Sequence, residues 1–267
     1  MVYFYSDPGQ DHMRSRIENQ DCCLWSETAN CTAIVLTDGA GTCQYAAEGA
    51  QCAANALLSL LLEQSEHCFL ADEKELTSMI FESVLDAQKQ LASSMKTDLT
   101  ELSSTYAALL YDQSRQQVMC ISLGDSIILQ TGTNRSRGII SAPSSSRYGT
   151  PVSTTEQGFQ DISIERFNVR GDESFAICSD GAWSMMYSRN RMKAEFRASL
   201  ENDDFAGLHE RLQNERPEDD CSFIAISLKD LQKSGLSRNS LKRQDKDSLV
   251  SLLVMNQVRQ RIEHCLD

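Results

Sequence analysis

A short apolar run that ends in an aspartate and a glycine occurs twice in this chain and constrains its fold more than any other feature. The two copies are Ala33–Gly39, which contains Asp38, and Ser174–Gly181, which contains Asp180. Short continuous apolar runs are typical of strands that are buried on both faces. The sequence therefore predicts two buried strands, each of which delivers a carboxylate to its end.

Two further carboxylates, Asp219 and Asp220, stand just before a third apolar strand, Phe223–Leu228. Aspartates from three distant parts of the chain would repel one another if the fold gathered them without a cation. Magnesium and manganese prefer oxygen ligands, and magnesium keeps several waters when it binds. The pattern therefore indicates a site for hard divalent ions where these strands end.

The rest of the chain alternates paired strands with paired helices. Periodicity predicts helices over Tyr45–Leu62, Glu75–Met95, Met192–Leu200 and Phe205–Gln213, and strands over residues 2–5, 22–25, 104–111, 118–123, 127–130 and 162–169. The short turn Gly124-Asp125-Ser126 predicts a hairpin of the two strands beside it, and Thr131–Gly158 reads as a long loop. Without strict strand-helix-strand repetition, the pattern favours the α+β class over a doubly wound sheet.

Composition excludes several classes of protein. With 267 residues, of which 41% are hydrophobic, the chain can bury one large core. A net charge of −13 argues against binding to nucleic acid, which needs clustered Lys and Arg. No segment reaches the roughly 18 uninterrupted apolar residues of a membrane span, and the first residues lack the basic region of a signal peptide. We expect a soluble, cytoplasmic protein without a nucleic-acid or membrane partner.

The ten cysteines raise the alternatives of a disulfide framework or a zinc site. They contain no C-x-x-C pair, and several lie within apolar strand or helix runs. This spacing favours reduced, buried thiols in a cytosolic protein.

The last forty residues differ from the rest. We expect one catalytic domain over residues 1–230, followed over 231–267 by a polar, locally basic linker and an amphipathic helix. The helix would run from Ser248 to Cys265, with its apolar positions on one stripe. Such a helix could pack on its own domain, or it could form a partner or dimer contact.

Five short motifs occur along the chain in this order: Arg16-x-x-Asn19-Gln20-Asp21, Asp38-Gly39-x-Gly41, Gly124-Asp125-Ser126, Ser179-Asp180-Gly181 and Asp219-Asp220-x-Ser222. Together they resemble the metal-dependent serine/threonine protein phosphatases of type 2C, and the Asp-Gly-Ala-Gly form is most similar to their compact bacterial branch. The resemblance spans roughly residues 10 to 228. It implies a four-layer α-β-β-α sandwich with two central antiparallel β-sheets.

The resemblance also implies a metal site. Asp38 would bridge two Mg²⁺ or Mn²⁺ ions, and Gly39 would lend its backbone carbonyl to one of them. Asp180 and Asp219 would hold the other ion. Asp219 is preferred to its neighbour Asp220, because in the family pattern the ligand is the first residue of this motif.

Other site residues follow from the same resemblance. Asp21 would support the waters of the metal ions, and Arg16 would clamp the phosphate, since a guanidinium offers a planar fork of donors. Taken alone, this arginine is equally typical of a surface loop with an ordinary salt bridge. Gln20 stands where many relatives have Glu, so it would act through water. Ala40 stands where many have a His that protonates the leaving group, so another donor would be required.

Two remaining parts of the family pattern add no residue to the candidate site. A further acidic residue, which binds a third ion in some relatives, would fall near Thr100, where Asp98 and Glu101 are close in sequence. The residues Gly124-Asp125-Ser126 and Ser179 look like scaffold of the family and are not among the candidate site residues.

The implied activity is hydrolysis of phosphoserine and phosphothreonine in proteins, which would oppose the action of a Ser/Thr kinase. Two ions about 4 Å apart lower the pKa of a bridging water and stabilise charge during its in-line attack on phosphorus. None of the cysteines lies in a C-x5-R phosphate loop. Direct attack by water, without a covalent phosphoenzyme, is therefore expected.

Two other functions compete with this interpretation. Gly39-Ala-Gly41 follows a strand and precedes a helix, as in dinucleotide-binding units, but the third glycine position is Gln44 and Asp38 would repel a pyrophosphate. The second alternative is a catalytically inactive relative that serves as a regulatory or binding module. All three candidate ligand aspartates are present, which favours the enzyme.

Overall fold

A computed structural model describes residues 1–132, 138–144, 149–189 and 191–231. Its elements, in chain order, are β1 (Val2–Asp7), α1 (Gln10–Ser15), β2 (Asp21–Glu27), β3 (Cys31–Gly39), α2 (Ala46–Glu63), α3 (Ser65–Leu70), α4 (Glu73–Met95), β4 (Ser104–Asp112), β5 (Gln117–Leu123), β6 (Ile127–Thr131), β7 (Ile139–Ser141), α5 (Glu156–Asp161), β8 (Ser163–Asn168), β9 (Ser174–Cys178), α6 (Asp180–Met186), β10 (Tyr187–Ser188), β11 (Arg191–Met192), α7 (Ala194–Glu201), α8 (Phe205–Glu215) and β12 (Cys221–Ser227). A 3-10 helix at Leu99–Leu102 precedes β4.

Two five-stranded antiparallel sheets pack face to face at the centre of the described structure. The first sheet has the strand order β2-β3-β4-β5-β8, and the second has the order β1-β12-β9-β6-β7. Helices α2 and α4 cover the outside of the first sheet, and α7 and α8 cover the outside of the second. The predicted α+β class and its four-layer α-β-β-α sandwich are confirmed.

The two faces of β3 explain its continuous apolar run. Ala33 and Val35 pack outward against α2, whereas Ile34 and Leu36 pack inward against side chains of the second sheet such as Ile224. A strand between a helical layer and another sheet meets apolar neighbours on both sides, so alternation with polar residues is not needed. Asp38 continues the inward face at the end of this strand.

The predicted hairpin of residues 118–123 and 127–130 is wrong. Strands β5 and β6 are consecutive, but they belong to opposite sheets. The residues of both strands are almost all buried. Strand β5 lies between β4 and β8, and strand β6 lies between β9 and β7. Gly124 makes the crossing, with a φ of 102° that a residue with a side chain rarely adopts.

The segment predicted as one long loop, Thr131–Gly158, contains the short strand β7 and the first residues of α5. The nine cysteines of the described part are free thiols. In the same part of the chain, no helix is long and apolar enough to cross a membrane. The predicted C-terminal helix, Ser248–Cys265, lies outside the described residues, and the division at residue 230 stays a prediction.

Candidate metal centre

Three polar residues form a row across neighbouring strands at one end of the first sheet. Asp38 on β3 is directly opposite Asp21 on β2 and Thr105 on β4. Because Asp38 shares the strand face of Leu36, which packs between the sheets, this row faces the inter-sheet layer. Like charges directly opposite on neighbouring strands are destabilising. The two aspartates therefore need a compensating proton or cation.

Asp38 also meets carboxylates that come from other elements. Asp38, Asp125 and Asp180 each offer an oxygen, and these oxygens all lie within 4.8 Å of one another. Asp125 comes from the crossing between β5 and β6, and Asp180 is the first residue of α6. The fold thus gathers two of the predicted ligands, together with an aspartate that the sequence analysis treated as scaffold.

Two hydrogen bonds fix Asp125 in this group. The Thr150 hydroxyl donates to its Oδ2 at 2.9 Å, and the indole Nε1 of Trp183 donates to its backbone carbonyl at 2.8 Å. Trp183 belongs to α6, the helix that Asp180 begins. The second carboxylate oxygen of Asp125, Oδ1, is buried and has no hydrogen-bond partner within the described residues. It is free to bind a cation.

Close packing at Gly181 brings Asp180 near the predicted ligand Asp219. A Cβ at Gly181 would lie 2.1 Å from the carbonyl oxygen of Asp220, so only glycine lets α6 begin this close to residues 219 and 220. Asp219 is exposed and is not one of the three tightly grouped aspartates. Its carboxylate still acts on both Asp38 and Asp180, since it raises the pKa of each.

Asp220, the neighbour of Asp219, has a different environment. It is 3% exposed, and its Oδ1 accepts from the backbone N–H of Gly9 at 2.8 Å and lies 2.8 Å from Nδ1 of His12. Its Oδ2 accepts from the backbone N–H of Gln20 at 2.6 Å. Both carboxylate oxygens are thus occupied within the protein. Asp219 is therefore the residue of this pair that can turn its carboxylate to a cation.

Burial sets the electrostatics of the group. It raises the pKa of Asp38 well above the usual value, and the carboxylates of Asp21 and Asp180 raise it further. Burial likewise raises the pKa of Asp180 to about 6, with Asp125 and Asp219 acting in the same direction. Each pKa rises because its carboxylate loses water and faces other negative charges. A divalent cation beside these carboxylates would lower the pKa of both aspartates.

Asp21 shows the same tendency. Burial raises its pKa to about 8, although the nearby hydroxyls of Ser222 and Ser179 favour the charged form. Neither carboxylate oxygen of Asp21 makes a hydrogen bond of good geometry within the described part of the chain. Buried oxygens without partners, beside grouped carboxylates, are the donor set that suits Mg²⁺ or Mn²⁺.

Gly39 and Gln20 lie beside this row. The backbone N–H of Gly39 donates to the carbonyl of Gln20 at 3.0 Å. A Cβ at Gly39 would lie 2.3 Å from the carbonyl oxygen of Ala46, where α2 begins, so glycine allows the helix to pack on the end of β3.

Arg16 follows α1, is exposed, and has a left-handed φ of 59°. The roles of Gly39, Gln20 and Arg16 stay predictions.

The acidic residues near Thr100 are not among the three grouped aspartates. The Glu101 carboxylate accepts from the backbone N–H of Gln44 at 2.7 Å, which ties the 3-10 helix to the segment before α2. Neither Asp98 nor Glu101 belongs to the group of three aspartates. The additional carboxylate is Asp125, and the signal in the sequence was its position two residues past the end of a buried strand, as for Asp180.

Comparisons with known proteins identify the family and the fold. A family model described as Protein phosphatase 2C matches residues 8–215. A search of curated proteins finds no significant match. Among solved structures, the chain is similar to the serine/threonine phosphatase of S. agalactiae, with a TM-score of 0.63, 15% identity, and coverage of 84% of this chain and 98% of that chain.

Two further solved structures have the same fold. A bacterial serine phosphatase gives a TM-score of 0.60 at 16% identity, with 85% of this chain and 97% of that chain covered. RsbX, crystallised in complex with magnesium, gives a TM-score of 0.55 at 13% identity, with 84% and 92% covered. At these identities the similarity shows a shared fold.

Proposed function

Because the chain belongs to the protein phosphatase 2C family, we propose that it is a metal-dependent phosphatase that hydrolyses phosphoserine and phosphothreonine in proteins. The observation that carries the proposal is the convergence of Asp38, Asp125 and Asp180, whose carboxylate oxygens lie within 4.8 Å of one another. Buried carboxylates at this separation are unfavourable without a cation. The same group beside an accessible Asp219 suits a catalytic metal centre.

The ligand set follows the sequence prediction and adds one residue. Asp38 would bridge two Mg²⁺ or Mn²⁺ ions, and the Gly39 carbonyl would bind one of them. Asp180 and Asp219 would hold the other ion, and Asp125 would offer a further carboxylate. When bound, such ions lower the pKa of water and neutralise the charge of a phosphoryl group.

The protein's own residues would orient the reaction. Arg16 would hold two phosphate oxygens with its guanidinium. Asp21, opposite Asp38 and buried, would accept hydrogen bonds from waters of the centre. Gln20 would act through water in the same way.

The environment of two thiols that are close in sequence to Asp180 and Asp219 supports direct attack by water on phosphorus. Burial raises the pKa of Cys178 to about 12, and burial also raises the pKa of Cys221. Neither residue can supply a thiolate nucleophile near neutral pH. A covalent cysteinyl-phosphate is therefore not part of the proposal.

The proposed substrate is a phosphorylated protein, so the activity would oppose a Ser/Thr kinase. The net charge of −13 disfavours nucleic acid as a partner. Free thiols at the nine described cysteines support a reducing location, and we place the activity in the cytoplasm.

Hydrolysis of para-nitrophenyl phosphate tests the proposal. We expect turnover that requires Mn²⁺ or Mg²⁺, is abolished by EDTA, and is lost in Asp38→Asn. Asp86→Asn is the matched control, because Asp86 lies on the exposed face of α4 beside Lys89, and this variant should keep full activity.

The proposed phosphatase activity would be refuted if the wild-type protein bound no divalent ion in calorimetry and hydrolysed no phosphomonoester. That result would instead support the alternative from the sequence, an inactive regulatory module with this fold.

A further inference from the structure

A groove of about 400 Å³ opens between α1 and the connection from α8 to β12. Tyr5 lies at its buried base, Met13 and Arg14 line it from α1, and Arg216 and Pro217 line it from the connection. We call this feature the α1 groove. The proposed reaction assigns no role to it.

Hydrogen bonds hold the two walls of the α1 groove together. The backbone N–H groups of Gln10 and Asp11 donate to the carbonyls of Pro217 and Glu218 at 3.0 and 3.1 Å. The Gln10 side chain donates to the carbonyl of Arg216 at 2.7 Å. The groove is thus preformed, which lowers the entropic cost of binding a ligand there.

The same walls are close in sequence to residues that the proposed function assigns to the metal centre and the phosphate. Pro217 is two residues before Asp219, and Arg14 is two residues before Arg16. Two residues of chain span at most about 7 Å. The groove therefore lies within reach of residues about two to four positions from a phosphoresidue held at the centre, since an extended peptide advances about 3.3 Å per residue.

The charge of the α1 groove differs from that of the whole chain. The protein carries a net charge of −13, whereas the groove lining has two arginines, Arg14 and Arg216, and one carboxylate, Asp7. Arg14 also lies 3.0 Å from Asp11, but both side chains are exposed. Exposed pairs of this kind are weak and exchange readily for another carboxylate. The exposed thioether of Met13 adds apolar contact area beside the arginines.

We propose that the α1 groove is a recognition subsite for acidic residues that flank the phosphoresidue of a protein substrate. The inference rests on the proposed phosphatase function and adds a substrate preference to it. Arg14 and Arg216 would pair with aspartate or glutamate side chains of the bound peptide. An acidic flank would bind here although the protein as a whole repels acidic peptides.

The test compares phosphothreonine peptides that differ only in their flanking residues. One set carries glutamates two to four positions from the phosphothreonine, and the other carries lysines. We expect wild-type kcat/KM, with Mn²⁺ at low salt, to favour the acidic set by about three- to tenfold, and the preference to shrink as salt increases.

Variants then assign the preference to the groove. We expect the double variant Arg14→Gln with Arg216→Gln to lose it, and Arg14→Glu with Arg216→Glu to invert it. For each protein, the ratio of kcat/KM on the peptide to that on para-nitrophenyl phosphate corrects for changes in fold or metal loading. Arg197→Gln, on the exposed surface of α7, is the matched control and should keep the wild-type ratio.

Two results would overturn the inference alone while leaving the phosphatase intact. One is a wild-type enzyme that hydrolyses both peptide sets equally well. The other is an acidic preference that persists in both double variants. Failure of the wild-type protein to hydrolyse either the peptides or para-nitrophenyl phosphate would overturn the proposed function, and this inference with it.

Discussion

Asp180→Asn should stabilise the metal-free protein near neutral pH. Burial raises the pKa of Asp180 to about 6 from 3.8, with Asp125 and Asp219 as further causes. One pKa unit corresponds to about 1.4 kcal/mol, so the ionised carboxylate costs the fold about 3 kcal/mol. The amide of Asn can still accept the hydrogen bond that Asp180 Oδ1 receives from the backbone N–H of Gly181. The variant therefore removes the charge and keeps the local contact.

The sign of the pH dependence follows from the same values. A folded-state pKa above the unfolded one means that the protonated carboxyl favours folding. This contribution is fully present below about pH 4, and it is lost as the pH rises through about 6. Without metal, the stability of the wild-type protein should fall over this range. The advantage of the variant should appear over the same range and reach its full size at about pH 7.

Denaturant unfolding in EDTA at about pH 4 and about pH 7, with and without Mg²⁺, measures these effects. Added Mg²⁺ should stabilise the wild-type protein at about pH 7 and stabilise the variant much less, since a cation that binds only the folded state adds to its stability. A variant no more stable than wild type at about pH 7 in EDTA would refute the reasoning. So would an equal advantage at both pH values.

Two further variants address the contacts that position the centre. Gly181→Ala places a Cβ 2.1 Å from the Asp220 carbonyl, so we expect a loss of about 2 kcal/mol or more and weaker stabilisation by Mg²⁺, measured by thermal unfolding with and without the ion. Trp183→Phe removes the N–H that donates to the Asp125 carbonyl. It should cost about 1 kcal/mol and weaken Mg²⁺ binding in calorimetry, and unchanged binding would contradict the positioning role of the indole.

The sequence predicts those parts of the fold that depend on long periodic patterns. The predicted helices Tyr45–Leu62 and Glu75–Met95 correspond to α2 and α4, and both buried runs before Asp38 and Asp180 are strands. These patterns are local consequences of which face is buried. The convergence of Asp38 with Asp180 also followed, because each aspartate lies at or just past the end of a buried strand.

Features that depend on tertiary packing were not predictable in the same way. Helix α1 has six residues and none of them is buried, so it has no apolar stripe. Its position is fixed by hydrogen bonds to Pro217 and Glu218, more than 200 residues later in the sequence. The misassigned hairpin at Gly124 has a similar cause, because turn chemistry does not show whether two strands share a sheet. Asp125 was assigned to scaffold, because only the packing of this crossing against α6 shows that its carboxylate meets those of Asp38 and Asp180.

The contacts that shape the centre can form before a cation binds. Asp220 uses both carboxylate oxygens to hold Gly9 and Gln20, and Trp183 holds the backbone of Asp125. None of these bonds requires an ion, whereas burial and neighbouring carboxylates raise the pKa of Asp38 and of Asp180, so their ionised forms are unfavourable without one. The backbone of the centre is thus prearranged while its charge is uncompensated. A divalent cation bound here would compensate this charge, so variants that neutralise one of the aspartates should gain stability without metal and lose affinity for the cation.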